Sequence, residues 1–282
     1  MIKKNWMSLA VLLLSVLTLV GYRVYDGLRT DTAAPEISVS GEVLELSVYD
    51  GKDALLQGVT AADDRDGDVT ASLVVEGIGQ INGANEVTVT YAAFDRSGNV
   101  AKAKRTVRYT DYESLKFTLN RPLVYASGTS FDLLTAIQAE DMVDGDISYR
   151  IKATSLDETS VSAAGSHTVR FRVTNSMGDT VELTLPVEVY TERYNAQLTL
   201  TDYLVYIRAG DDFDYMDYLK DFTVREDTVH LNGRVPSGVT LRTAGHVETE
   251  VPGVYTLSMT MTQQQGSLEY VGYTRLIVVV EE

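Results

Sequence analysis

The sequence predicts an all-β protein: three tandem β-sandwiches behind one apolar N-terminal helix. Three observations carry this expectation. The chain has 282 residues, too many for one ordinary sandwich and suited to two or three domains. A pattern of acidic turns and alternating strands returns about every 80 residues. Between those returns, strand-length runs are bounded by turn signals every ~8–12 residues. Composition agrees: hydrophobic residues make up 44%, and 17 Tyr stand against 6 Phe and 1 Trp. Tyr, Val and Thr favour a pleated, half-buried surface.

The N-terminal element comes first. Lys3 and Lys4 precede an apolar run from Trp6 to Val20, broken only by Ser8, Ser15 and Thr18. Fifteen helical residues rise roughly 22 Å, short of a ~30 Å hydrocarbon core. Extension to Tyr25 reaches about 30 Å if Arg23 snorkels. Small residues for signal cleavage are nearly absent after the run, where only Gly21 qualifies. The reading favours an uncleaved membrane anchor, with secretion after signal cleavage as the alternative. In the anchored form Lys3 and Lys4 hold the N-terminus in the cytoplasm and the C-terminal domains lie outside.

The repeats follow. Asp66-Gly67-Asp68-Val69 returns as Asp144-Gly145-Asp146-Ile147, 78 residues later. Thr88-Val89-Thr90-Tyr91 returns as Thr168-Val169-Arg170-Phe171, and Ser97-Gly98-Asn99 as Met177-Gly178-Asp179, both 80 residues on. The third unit diverges but keeps Leu204-Val205-Tyr206 against Leu123-Val124-Tyr125. Tight turns are expected at Asn82-Gly83, Gly98-Asn99, Gly178-Asp179 and Asn232-Gly233. Only residues 130–142 and 213–220 look locally helical. The expected domains are 1–30 (stub, anchor and linker), 31–110, 115–190 and 196–282. The polar linkers 110–114 and 191–195 are long enough to bend but too short for free tumbling.

These residues resemble a known family. Gly128 to Leu133, the Ala-x-Asp-x-x-Asp-Gly-Asp-Val segment Ala62 to Val69, Thr88 to Tyr91, and Asp95-Arg96-Ser97-Gly98-Asn99 look like bacterial surface-protein immunoglobulin-like repeats, close to the HYR-type modules. The second repeat departs at Asn175-Ser176-Met177-Gly178-Asp179, and the third lacks both motif turns. The resemblance implies an immunoglobulin-like fold, a surface location, and adhesion, spacing or carbohydrate contact. It implies no catalytic residues.

Charge and composition narrow the function classes. Without Lys3, Lys4, Arg23, Arg29 and Asp26, the chain carries 20 basic and 39 acidic residues, a net −19. That field repels nucleic acid, so no nucleic-acid partner is expected. Cysteine is absent, which removes disulfides, thiol catalysis and Cys-based zinc sites. The three histidines, His167, His230 and His246, form no metal or triad pattern. With 39 acidic residues, a chance carboxylate pair is a weak pointer to glycoside hydrolysis. No catalytic residue and no cofactor are assigned.

Two weaker candidate sites remain. Asp63, Asp64, Asp66 and Asp68, with Asp144 and Asp146, offer the carboxylate oxygens a calcium ion takes, although the helix–loop–helix calcium spacing fails. The competing reading is an Asx turn, in which Asp side chains cap backbone N–H groups. Tyr203, Tyr206, Tyr215, Tyr218, Tyr270 and Tyr273 enrich the third repeat and suit stacking on a sugar or a protein partner, if they are exposed. Lys116 is the best-placed lysine for an internal isopeptide crosslink, which is not expected. The expected function is a noncatalytic, membrane-anchored bacterial surface module for adhesion, ligand binding or spacing, with the third domain as tip. It touches the membrane through its helix and a protein or glycan at the surface. The alternatives are an envelope-complex subunit docking by a strand edge and, behind it, a carbohydrate-active enzyme.

Overall fold

A computed structural model describes residues 2–29, 31–157 and 161–282. Helix α1 spans Ile2–Arg29 without a break. Its Trp6–Tyr25 stretch has a mean hydropathy of 1.9, and none of it is buried. Two polar interruptions are satisfied within the helix. Ser15 Oγ donates to the Leu12 carbonyl at 2.8 Å and Thr18 Oγ1 to the Leu14 carbonyl at 3.0 Å. Such back-bonding lets hydroxyls sit in an apolar environment. Twenty residues rise about 30 Å, enough to cross a bilayer. The side chains of Lys3 and Lys4, which set the expected orientation, lie outside the described residues.

Past α1 the chain is β, wired the same way three times. The first sandwich has β1 (Glu36–Val39), β2 (Val43–Leu46), β3 (Val59–Asp63), β4 (Gly67–Asp68), β5 (Val74–Ile78), β6 (Glu86–Phe94) and β7 (Val100–Tyr109). They form a three-stranded sheet, β1-β3-β4, and a four-stranded sheet, β2-β7-β6-β5. The second has β8 (Lys116–Leu119), β9 (Val124–Ala126), β10 (Ile137–Asp141), β11 (Gly145–Asp146), β12 (Lys152–Ser155), β13 (Gly165–Thr174) and β14 (Thr180–Tyr190). Its sheets are β8-β10-β11 and β9-β14-β13-β12. The third has β15 (Ala196–Leu200), β16 (Leu204–Arg208), β17 (Leu219–Val224), β18 (Asp227–His230), β19 (Val239–Ala244), β20 (Gly253–Gln265) and β21 (Leu268–Glu281). They pair as β15-β17-β18 and β16-β21-β20-β19. In each sandwich the second strand runs parallel to the last, as β2 with β7, β9 with β14 and β16 with β21. All other pairings are antiparallel. These are immunoglobulin-like β-sandwiches. The third keeps the wiring although it lost the motif turns.

Register locates equivalent core positions. Val89 faces Arg105, Val169 faces Leu185, and Leu257 faces Leu276. Two residues on, Tyr91, Phe171 and Met259 each have no exposed surface. Burying each such side chain stabilises by about 1.5–3 kcal/mol. Tyr91 carries a polar tip, and its hydroxyl donates to the Leu55 carbonyl at 2.8 Å. Arg105 replaces the leucine of the other two sandwiches. Its Nη1 and Nη2 donate to the Gln57 and Ser40 carbonyls at 2.6 and 2.5 Å, so it tethers the chain on either side of the β1–β3 pair.

The two stretches expected to be locally helical, 130–142 and 213–220, supply only one short 3-10 turn each, Leu133–Thr135 and Tyr215–Tyr218. Asp132 and Asp214 cap them, accepting from Leu134 N and Met216 N at 2.9 Å. The C-terminal part of each stretch enters β10 or β17, because strand pairing overrides weak local propensity. Gly98 and Gly178 take φ of 88° and 81° at the expected turns. Asn232 and Gly233, with φ of 46° and 72°, do the same. Asn82 instead anchors a wider loop, its Oδ1 accepting from Ala84 N and Glu86 N.

By compactness the chain forms two units, 1–112 and 113–282. The second unit holds two sandwiches joined by a packed junction. Tyr194 stacks on Tyr273 at 5.0 Å between ring centroids and meets Tyr190 edge-on at 4.9 Å. The Tyr273 hydroxyl donates to Glu188 Oε2 at 2.5 Å. Arg275 Nη1 lies 3.2 Å from the same oxygen, close enough for an ion pair but off hydrogen-bond geometry. Asn195 exchanges bonds with Val271, and Lys116 Nζ pairs with Glu281 at 2.8 Å. The second linker is therefore pinned to β21, where its polar sequence alone allows it to bend.

Candidate carboxylate site

The residues expected to bind a metal divide into one that converges on other carboxylates and five that do not. Asp63 ends β3 and is 8% exposed. Its Oδ1 accepts from Arg65 N at 2.9 Å and Asp66 N at 2.8 Å, which is an Asx turn. Asp64 is exposed. Asp66 Oδ2 accepts from Arg96 N at 2.7 Å, and Asp68 Oδ1 from Thr70 N at 2.9 Å. In the second sandwich Asp144 binds Ser176 Oγ at 2.6 Å, Ser176 N at 2.7 Å and Arg150 Nη1 at 2.9 Å. Asp146 Oδ1 accepts from Ser148 N at 2.9 Å. Neither the Asp63–Asp68 cluster of the first repeat nor the Asp144–Asp146 pair of the second gathers its carboxylates on a common centre, and their hydrogen bonds follow the competing turn reading. Five of the six, all but Asp64, tie down turns, because a short carboxylate reaches the N–H two residues ahead or a facing loop more easily than a common centre.

What does assemble is Asp31, Asp63 and Asp95. One carboxylate oxygen of each lies within 4.8 Å of the other two, and all three residues are buried. Asp31 comes from the segment after α1, Asp63 from the end of β3 and Asp95 from the turn after β6. Every one has an oxygen clamped by backbone. Asp31 Oδ1 accepts from Ala33 N at 3.0 Å, and Asp95 Oδ1 from Asn99 N at 2.7 Å. Asn99 Nδ2 also donates to Asp95 Oδ2 at 2.6 Å and to the Asp31 carbonyl at 3.1 Å. Burial pushes the Asp95 carboxyl up. Hydrogen bonds from the Asn99 side chain and backbone, and from the Gly98 and Ser97 backbone, outweigh it and hold the group below the usual carboxylate range. Asp31 Oδ2 and Asp63 Oδ2 are buried without a hydrogen-bond partner among the described residues. Oxygen-only, anionic and pre-positioned, such a trio suits a hard cation.

Asp31 and Asp95 are absent from the sequence-based candidates. Asp95 reads from sequence as a turn residue, and Asp31 belongs to no motif. The available signal was the repeat comparison, in which Asp95 stands where the second repeat has Asn175.

The six tyrosines lie elsewhere, and each is buried or half-buried. Tyr203 and Tyr270 are buried, at 8% and 6% exposure. The Leu200 N–H donates to the Tyr203 hydroxyl at 3.3 Å. Tyr206 meets the Phe117 backbone at the junction, and burial pushes its phenol up. Tyr273 belongs to the junction cluster, while Tyr215 and Tyr218 are half-buried in the 3-10 turn. Lys116 is held by Glu281 and the Tyr206 ring. His167 is buried against the Ala163 carbonyl, and His230 pairs with Asp221.

No protein-family model matches the chain, and no curated protein matches it. Solved structures match at low similarity. The protocadherin gammaB4 extracellular domain has 12% identity and a TM-score of 0.20, covering 89% of this chain and 50% of that one. The CBM51-2 in complex with GlcNAc and INT domains from Clostridium perfringens ZmpB has 17% identity and a TM-score of 0.23, covering 88% and 42%. Mouse cadherin-23 EC22-24 has 12% identity and a TM-score of 0.21, covering 88% and 98%. The chain thus spans half or less of the length of the first two. The assignment of three immunoglobulin-like sandwiches rests on strand wiring and register, not on these overlays.

Proposed function

We propose that the chain is a noncatalytic surface module of a bacterial cell, tethered by α1 and presenting three sandwiches outside the membrane. The observation that supports it most is the order of parts: an exposed apolar helix of 20 residues, then three β-sandwiches with side chains filling their centres. In this reading α1 stays uncleaved, with the N-terminus in the cytoplasm. The carboxylates that converge are buried in the first sandwich, whereas glycoside hydrolysis needs a pair flanking an open sugar-binding cleft. The third sandwich, farthest along the chain from the helix, is the binding tip for a protein or glycan. Its tyrosines serve packing, so contact falls to exposed apolar residues such as Val251 and Leu268, 48% and 53% exposed.

The test is a topology and retention experiment on the full chain. A C-terminal tag should be protease-accessible on intact cells or spheroplasts and an N-terminal one protected. The mass should show an uncleaved N-terminus, and alkaline carbonate should leave the chain in the membrane pellet. A protected C-terminus or a carbonate-soluble chain refutes the tether. Strand-edge docking to an envelope complex is the second reading, because β12 and β19 each pair on one side only among the described residues. One stoichiometric partner, lost when Lys152 or Arg242 on those strands becomes Pro, would favour it.

A further inference from the structure

We propose that Asp31, Asp63 and Asp95 bind one Ca2+ ion, which fastens the segment leaving α1 to two loops at one end of the first sandwich. This goes beyond the tethered-module reading and does not depend on it. The starting point is two buried carboxylate oxygens, Asp31 Oδ2 and Asp63 Oδ2, with no hydrogen-bond partner among the described residues. Both residues are only 8% exposed, as is Asp95. Buried polar atoms are normally partnered, and like charges brought together repel. A cation at the centre answers both problems at once.

The second sandwich supplies the internal control. Asp141 ends β10 as Asp63 ends β3. Its Oδ1 makes the same Asx turn, accepting from Val143 N and Asp144 N at 2.9 Å. Its Oδ2, however, accepts from Asn175 Nδ2 at 2.8 Å. Asn175 stands where the first sandwich has Asp95, and its Oδ1 caps Met177 N and Asp179 N as Asp95 caps Asn99 N. One repeat thus fills the position with an amide donor. The other offers a third carboxylate and leaves the donor to come from elsewhere. In the third sandwich β17 ends in Val224, which is 3% exposed and needs no partner.

Calcium fits the geometry and the ligand type. Ca2+ bonds oxygen at 2.3–2.6 Å, so oxygens on one ion stand up to about 5 Å apart, and it tolerates irregular ligand sets. The three oxygens lie within 4.8 Å of one another. No thiolate or imidazole belongs to the trio, which disfavours zinc. Asp31 follows α1 by two residues, so ion binding orders the start of the first sandwich as it closes the site.

The experiment uses the full chain in detergent micelles, titrated with CaCl2 after EDTA treatment. Calorimetry should show one Ca2+ per chain, and saturating CaCl2 should raise the first unfolding transition by about 5 °C. Asp95→Asn rebuilds the arrangement of the second sandwich. It should abolish binding while melting in EDTA at least as high as the unsubstituted chain. Asp31→Asn, which lies outside the strands, should also abolish binding and covers the case in which Asp95→Asn misfolds. Asp144→Asn should keep full stoichiometry. No heat and no shift at millimolar CaCl2 overturns the proposal. So does unchanged stoichiometry in either Asp95→Asn or Asp31→Asn, or an equal shift from MgCl2. None of these outcomes depends on membrane topology.

Discussion

The junction between the second and third sandwiches should behave as one energetic unit, and a double-mutant cycle on Tyr273 and Glu188 measures it. Tyr273→Phe removes a hydroxyl that donates to Glu188 Oε2 at 2.5 Å and lies 3.1 Å from Ser258 Oγ. Hydrogen bonds to charged groups contribute about 1.5–3 kcal/mol. The Glu188 and Arg275 side chains are 27% and 15% exposed, so solvent screens them in part and the lower half of that range applies. Glu188→Gln removes the charge that faces Arg275 while keeping an acceptor, and should cost about 1–2 kcal/mol. Both changes break the same bond, so the double variant should cost roughly 1–1.5 kcal/mol less than the sum of the singles. Urea unfolding followed by far-UV circular dichroism is the assay. The one tryptophan, Trp6, lies in α1 and would not report on the sandwiches. Additivity within 0.5 kcal/mol would show that the contact carries no coupling and that the junction is mere adjacency.

Other outcomes follow from single sites. Arg105→Leu installs the residue the other two sandwiches use, but orphans the Gln57 and Ser40 carbonyls, so a loss of about 1–3 kcal/mol is expected. Arg105→Ala should lose at least about 1 kcal/mol more through the cavity, and equal melting of the two variants would contradict this. Gly245 has φ of +105°, and an added Cβ would stand 2.2 Å from the Thr256 carbonyl oxygen. Gly245→Ala should therefore cost about 2 kcal/mol or more in denaturant unfolding, and a change under 0.5 kcal/mol would refute it. Burial raises the phenols of Tyr206 and Tyr273, with Glu188 adding to the rise at Tyr273. A raised folded pKa gives stability that is complete below the unfolded value near 10 and is lost as pH climbs above it. Alkaline titration of the melting point should show that loss, reduced in Tyr273→Phe. Asp144 is depressed, mainly by Ser176 Oγ and with help from Arg150, against the opposing effect of burial. Its contribution is complete above about pH 4 and disappears as pH falls below that, so Asp144→Asn should flatten the acid limb.

Fold and site were legible to different depths, and the difference follows from what each feature depends on. The wiring could be read because its signals are local. Asp63 and Asp141 cap N–H groups two and three residues ahead, and Gly98 and Gly178 adopt positive φ inside their own turns. Alternation in β6 and β13 is likewise a property of neighbouring residues. Residues 213–220 misled because a 3-10 turn capped by Asp214 shares its opening with a helix, and only pairing with β15 draws the rest into β17. The tyrosines were countable from sequence, but the burial of Tyr273 depends on β21 folding back against the linker, which composition does not contain.

The carboxylate site shows the same limit more sharply. Asp63 was visible twice over, as a repeat residue and as a candidate ligand, yet its neighbours in sequence turned out to serve turns. Its spatial neighbours are 32 residues away on either side, at Asp31 and Asp95. Comparing the three repeats position by position separates the roles. An Asp clamped through Oδ1 is common to the first two sandwiches, so that oxygen is structural. What differs is the rest of the carboxyl's surroundings: in the first sandwich Oδ2 has no hydrogen-bond partner among the described residues and two more carboxylates converge on the residue, and in the second an amide binds Oδ2. The third ends the strand in a valine. A requirement of the fold would have been kept in all three. A feature confined to the sandwich nearest α1 answers to something only that sandwich does, and beginning at the end of a membrane-length helix is the task the other two do not share.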